Sequence, residues 1–176
     1  SLGGKVAMQL AVNRPELIQR LVILDISPTS YSIRRHDHIF SGLNAVKAAG
    51  VKTRFEAREV LLEHMDESSV ADFLLTSAYT DDFGLIDWRF NLAQLEIDYL
   101  QMLSGIEVQE ARGLPCQIPS LVIRGADSGY VTKTTKHDFA HLFSALDVVT
   151  VKGAGHWLHQ EQTEKVLSII RRFIAP

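Results

Sequence analysis

Three short runs, RLVILDISP (20–28), IPSLVIRGADS (118–128) and LDVVTVKGAGH (146–156), constrain the fold of this chain more than any other feature. Each is apolar almost throughout and ends abruptly on small, acidic or basic residues: Asp25 and Ser27 before Pro28, Asp127 and Ser128 after Gly125, and His156 after Gly-Ala-Gly. A strand with one wet face alternates apolar and polar side chains, whereas a strand covered on both faces has no reason to alternate. Continuous apolar runs therefore predict parallel strands packed between layers of helix. Helical patterns fall where such a fold needs them: at 2–13, at about 132–144, and at 163–174, where Val166, Leu167, Ile169, Ile170, Phe173 and Ile174 share one side. Strands alternating with helices predict an α/β sheet.

Between about 28 and 114 the alternation stops. Helical patterns at about 36–49, 53–65, 67–79 and 91–104 follow one another around a polar turn, TDDFGLIDW, and the stretch is too long for a simple crossover. It is expected to be a helical lid inserted after the first strand of one domain that occupies 1–176. A net charge of −3 with scattered basic residues leaves no footprint for a nucleic acid. No apolar run approaches the roughly 18 residues of a membrane span. One cysteine, Cys116, permits no internal disulfide and no Cys-rich metal site, is read as a small buried hydrophobe, and fits a reducing compartment such as the cytoplasm. His-Asp-His at 36–38 has no further ligands at suitable spacing, so no metal is expected, and no cofactor either. The oligomeric state stays open.

In open α/β sheets, chemistry collects beyond the carboxyl ends of the strands. Those ends deliver Asp25, the Asp127-Ser128 pair and His156, while Ser1 stands at the start of a helix with Gly3 and Gly4 behind it. Serine, acid, histidine is the chain order of the α/β-hydrolases. SLGGK resembles the second half of their Gly-x-Ser-x-Gly nucleophile elbow, with Ser1 as nucleophile and Gly3 as its second glycine. LDISPTSYSIRRHDHIF, WRFNL, RGADSGYV and GAGHWLH, in that order over nearly the whole chain, resemble the YbfF-type carboxylesterases of the same superfamily.

The resemblance implies an α/β-hydrolase fold whose amino-terminal half, with the nucleophile strand and the loop bearing a second oxyanion donor, is absent. The chain alone is then expected to carry an unpaired apolar strand edge and to be inactive. The implied chemistry is hydrolysis of short acyl esters or thioesters, with a small acyl ester or acyl-CoA as substrate and an acyl-enzyme as intermediate. A serine hydroxyl needs a base, and the base an orienting acid. His156 is the expected base, the Leu2 N–H an oxyanion donor, Gly3 and Gly4 the source of close packing at the elbow, and Trp157 a substrate neighbour. His159 reads as a lid or helix-entry contact. In this fold the acid usually ends a Gly-x-x-Asp after the strand before the histidine strand, yet GADS places Ser128 there and Asp127 one residue early. The YbfF-type enzymes carry an Asp at the DISP position, which implies Asp25 as the acid with Ser128 as auxiliary partner and Asp127 as the alternative acid.

Related folds also host lyases and C–C bond hydrolases, and some serve as inactive binding modules. An autoprocessed hydrolase with Ser1 as a mature terminus is a further class, but it leaves DISP and GAGH unexplained. A lid over 28–114 implies a covered apolar acyl pocket, so acyl esters and thioesters are expected to turn over far faster than peptide bonds. Comparing p-nitrophenyl ester and acyl-CoA turnover with cleavage of an unstructured protein checks this, and efficient proteolysis without ester turnover would refute it.

Overall fold

The computed structural model describes residues 1–107, 115–132 and 135–175, the side chains of 135 and 136 excepted. Its contacts divide it into two compact units, Ser1–Tyr31 with Ser104–Pro176, and Ser32–Leu103. The first unit begins with α1 (Leu2–Asn13) and β1 (Leu21–Leu24). The second follows with α2 (Asp37–Ala49), α3 (Arg54–Leu62), α4 (Ser68–Leu75), the strands β2 (Ala78–Thr80) and β3 (Ile86–Trp88), α5 (Leu92–Ile97) and α6 (Tyr99–Leu103). The first unit resumes with β4 (Ser120–Gly125), α7 (Thr135–Ala140), β5 (Leu146–Val151), α8 (Leu158–Glu161) and α9 (Thr163–Ile174).

The three apolar runs form one parallel sheet in the order β1-β4-β5, with Ile23 beside Val122 and Val122 beside Val148. Because successive side chains of a strand point to opposite faces, alternate residues feed two separate clusters. Leu21, Ile23 and Val122 pack with Met8, Ala11 and Val12 of α1 and with Phe139 of α7. Leu121, Ile123 and Val151 pack with Leu158 of α8 and Val166 of α9, joined by Ile169, Ile170 and Phe173. Each fully buried aliphatic side chain contributes about 1.5–3 kcal/mol, against a few tenths for a residue's helix propensity, so the sheet fixes the helices rather than the reverse. Both faces are covered, as the unbroken apolar runs require. β5 departs from that expectation: Asp147 and Thr150 are exposed, and among the described strands it pairs only with β4.

The second unit has its own core, centred on Phe40, Leu43 and Val46 of α2, Leu61 of α3, and Trp88, whose indole N–H donates to the Leu43 carbonyl at 3.1 Å. α3 opens on a capping box in which the Thr53 hydroxyl accepts from Glu56 N–H and Glu56 reaches back to Thr53 N–H. The helix expected at 67–79 stops at Leu75, and Ala78–Thr80 instead pairs antiparallel with Ile86–Trp88. Asp81 makes that hairpin: its Oδ1 accepts from the N–H groups of Phe83 and Leu85, and Gly84 takes φ 77°, the left-handed backbone a glycine adopts most readily. The helix expected at 91–104 is broken at Asp98 into α5 and α6. That expected at 132–144 is described only from Thr135 to Ala140; 133 and 134 lie outside the described residues, as do 108–114 at the end of the expected lid. His36 of the His-Asp-His string bonds the Tyr99 hydroxyl at 2.7 Å. Cys116 is buried.

The segments that leave the first unit and return to it are tied together within that unit. Ile106 N–H donates to the Pro28 carbonyl at 2.9 Å, and Gly105 lies so close that a Cβ there would stand 3.1 Å from Pro28 O and 3.2 Å from Ser30 N. Lys5, buried on α1 with Met8 and Val12, donates its Nζ to the carbonyls of Thr29 (2.9 Å) and Ser104, and lies 4.7 Å from the centre of the Tyr31 ring. Burial pushes the Lys5 ammonium below the usual lysine range.

The two glycines of SLGGK differ. A Cβ on Gly4 would overlap Cγ2 of Ile26 and lie 3.5 Å from Cγ2 of Ile23, whereas one on Gly3 would meet nothing within 4 Å. Close packing at this turn is Gly4's work, not Gly3's. Gly4→Ala is expected to cost about 1–3 kcal/mol through overpacking, while Gly3→Ala is expected to be neutral or up to about 1 kcal/mol stabilising through helix propensity. Thermal unfolding of the two variants checks the difference; equal melting temperatures would refute it.

Candidate active site

The carboxyl ends of β1, β4 and β5 lie side by side, and the loops that follow them carry the residues the sequence singled out. At the end of β1, Asp25 bonds through its N–H to Ile123 O at 2.9 Å and turns the chain at φ 47°. Among the described residues it is the one non-glycine with positive φ. Such a conformation costs an ordinary residue about 1–2 kcal/mol, and Asp is among the side chains that tolerate it best. The turn buries the carboxylate completely, at 0 % exposure. A buried carboxylate is tolerable only when its oxygens are occupied. Oδ1 accepts from Gly125 N–H at 3.1 Å, and Oδ2 accepts from the Ser128 hydroxyl and meets His156 Nδ1 at 2.9 Å.

His156 Nε2 in turn lies 2.5 Å from Ser1 Oγ. One hydrogen-bonded chain thus joins residues far apart in sequence: Ser1, His156, Asp25 and Ser128. Ser1 is the N-cap of α1, so the Leu2 N–H belongs to the first-turn amides that have no acceptor within the helix. The alternative acid, Asp127, is exposed and is bound through its backbone N–H to Ala154 O at 3.0 Å; the carboxylate that meets His156 is Asp25's. Trp157 is half-buried and stacks on His159, ring centres 6.2 Å apart. His159 itself lies in α8, its carbonyl accepting from the Thr163 hydroxyl that opens α9.

The loop that carries His156 is held by contacts sequence reasoning missed. Gly155 N–H donates to Glu161 Oε2 at 2.6 Å, and Gln162 Nε2 donates to Gly153 O at 3.1 Å. Tyr130 stacks on the imidazole with ring centres 3.9 Å apart and planes 24° from parallel. Nothing in the spacing of RGADSGYV marks that tyrosine. Lys5 did leave a signal, a charge in register with Met8 and Val12 on the buried face of α1. Among the described residues no group of three or more His, Cys, Asp or Glu side chains is placed to hold a metal ion, and no helix is long and apolar enough to cross a membrane.

A serine hydroxyl on a helix N-terminus, an imidazole and a buried carboxylate are gathered at the carboxyl ends of a parallel sheet with helices on both faces, and the chain has the α/β-hydrolase fold of the solved structures it resembles. Over nearly its whole length it is similar to YbfF-type esterases: it is 34 % identical over 174 residues to esterase YbfF of Escherichia coli, covering 99 % of this chain and 65 % of that protein. The sn-1-specific diacylglycerol lipase ABHD11 of Xenopus tropicalis is 32 % identical over 179 residues, or 99 % of this chain and 54 % of the lipase. The chain therefore spans between about half and two thirds of these curated relatives. Among solved structures, a marine microorganism esterase superposes with a TM-score of 0.92 at 28 % identity, covering 99 % of this chain and 67 % of that one. No protein-family profile matches the chain.

The end of β4 and the loop after β5 approach each other closely. A Cβ on Gly125 would overlap the carbonyl oxygens of both Gly155 and Ala154, which are main-chain atoms with little room to give. A Cβ on Gly155 would come no nearer than 3.4 Å to its first neighbour, the Glu161 carboxylate. Gly125→Ala is therefore expected to lower stability by at least about 1–3 kcal/mol and to displace His156, with Gly155→Ala much milder. Melting temperatures of the two variants, read beside ester turnover, check this; an unperturbed Gly125→Ala would overturn it.

Proposed function

We propose that the protein carrying this chain is a serine hydrolase that cleaves acyl esters, and short-chain thioesters such as acyl-CoA, through an acyl-enzyme. The observation that carries the reading is the continuous chain from Ser1 Oγ to His156 Nε2 and from His156 Nδ1 to Asp25 Oδ2. Likeness over nearly the whole chain to proteins named as esterases and a lipase supports it.

In this reading Ser1 Oγ attacks the acyl carbonyl carbon as its proton passes to His156 Nε2. Asp25 accepts a hydrogen bond from Nδ1–H throughout, holding the tautomer that leaves Nε2 free to take a proton and stabilising the imidazolium that results. The carbonyl oxygen becomes an oxyanion at the start of α1, where the Leu2 N–H and the positive end of the helix face the developing charge. The carbon–oxygen or carbon–sulfur bond to the leaving group then breaks, and His156 gives that group the proton. Water, deprotonated by the same His156, attacks the ester formed on Ser1; the carboxylic acid departs and Ser1 regains its proton. Ser128 acts as an auxiliary donor to Asp25. Trp157, next to His156, is the candidate substrate contact.

Ser1→Ala or His156→Ala is expected to lower kcat on the order of 10⁶-fold, and loss of the acid on the order of 10⁴-fold, by analogy with other serine hydrolases. Asp25→Asn is the informative variant, because Asn also tolerates the left-handed turn and so removes charge with little strain. Asp127→Asn, at an exposed position, is expected to leave kcat within about threefold, as surface changes generally do. Steady-state kinetics on a panel of p-nitrophenyl esters and acyl-CoA thioesters checks these values. A larger loss in Asp127→Asn than in Asp25→Asn would reverse the acid assignment.

A further inference from the structure

We propose, on the basis of the serine-hydrolase reading above, that Tyr130 is a positioning residue: the face of its ring sets the plane of the His156 imidazole. His156 sits in a loop between two glycines and Trp157, with Gly153 at φ 66°, and the torsion that turns its ring is intrinsically broad. Hydrogen bonds at Nδ1 and Nε2 pin the ring at two points in its plane. A plate held at two points still rocks about the line joining them. Rocking misaligns both bonds together, because the N–H and the lone pair lie in the ring plane and hydrogen bonds weaken steeply off line. Tyr130 lies against that plate at stacking distance, 3.9 Å between centres and 24° from parallel, and so opposes rocking toward it.

The tyrosine is itself fixed on both sides of its main chain. Its N–H donates to Ser128 Oγ at 3.2 Å, the same hydroxyl that donates to Asp25. Its carbonyl accepts from the Tyr31 hydroxyl at 3.0 Å, which in turn accepts from Ser27 N–H at 2.7 Å. The rings of Tyr31 and Tyr130 meet edge to face at 5.5 Å, and Lys5 lies over Tyr31. A ring braced in this way serves better than a mobile aliphatic side chain. An aromatic face also favours positive charge, which the proposed reaction places on His156 when it takes the serine proton. The contribution therefore falls on the reaction barrier and not on substrate binding.

The test replaces the ring while leaving both main-chain bonds in place. Tyr130→Leu removes the face and Tyr130→Phe keeps it; Tyr130→Met, of similar length but without a ring, stands in if the leucine variant does not fold. In the full protein, kcat and KM on p-nitrophenyl butyrate are measured beside the low-field proton resonance of His156 Nδ1–H. Tyr130→Leu is expected to lower kcat about 10- to 100-fold with KM within about twofold, and to broaden the low-field signal. Tyr130→Phe is expected to restore both. Wild-type kcat in Tyr130→Leu, or an equal loss in Tyr130→Phe, would overturn the proposal. If the wild-type protein turns over no ester while the low-field signal still depends on the ring, the positioning role stands and the hydrolase reading falls. Ester turnover that is indifferent to the ring removes the positioning role alone.

Discussion

A carboxylate with no exposed surface, at the end of β1, is the constraint around which the first unit is arranged. An ion in that position is tolerable only if each oxygen is matched by a donor, and the donors come from three separate places: the end of β4, the loop after it, and the loop after β5. The sheet must therefore bring three parallel strands to a common end before Asp25 can be buried at all. Removing one donor would leave the charge partly unmatched, so selection for this site is also selection for the sheet's register.

The serine at position 128 carries a related lesson. A second carboxylate there would place two negative charges within hydrogen-bonding distance, and in such pairs ionisation of one disfavours ionisation of the other. A hydroxyl supplies a donor without charge. Its direction is set by two bonds together: Ser128 Oγ accepts from Tyr130 N–H with one lone pair and donates its proton to Asp25. Asp25 can then face His156 as an acceptor, as orienting an imidazole requires.

Much of this was legible in the sequence. Continuous apolar runs marked the three strands and, for β1 and β4, their burial, while β5 keeps exposed positions at Asp147 and Thr150; the abrupt endings of the runs marked Asp25, Ser128 and His156. The expectation of Asp25 over Asp127 as the acid drew on likeness to a family, since each follows an apolar strand run and no periodicity argument ranks the two. What stayed hidden lies mostly between elements. The stacking of Tyr130, the latch from Glu161 to Gly155 and the clash reserved at Gly125 are contacts between segments distant in sequence, with no period to betray them. In the second unit the polar turn in TDDFGLIDW was legible, but not that its flanks, Ala78–Thr80 and Ile86–Trp88, pair as strands and end the helix expected over 67–79.

The tie between the outgoing and returning segments, at Pro28 with Ile106 and at Lys5 with Thr29 and Ser104, has an evolutionary side. Once the ends of an insertion are held together by the host sheet, the entropy of closing it grows only logarithmically with length, by about 0.6 kcal/mol per doubling. Everything from Ser32 to Leu103 also folds around a core of its own. The junction thus behaves as a socket: the chain between its two contacts can lengthen, shrink or be exchanged for another sequence while the hydrogen-bonded residues at the strand ends stay where they are. Across a lineage, variation is then expected to collect between Ser32 and Leu103, with the sheet left almost unchanged.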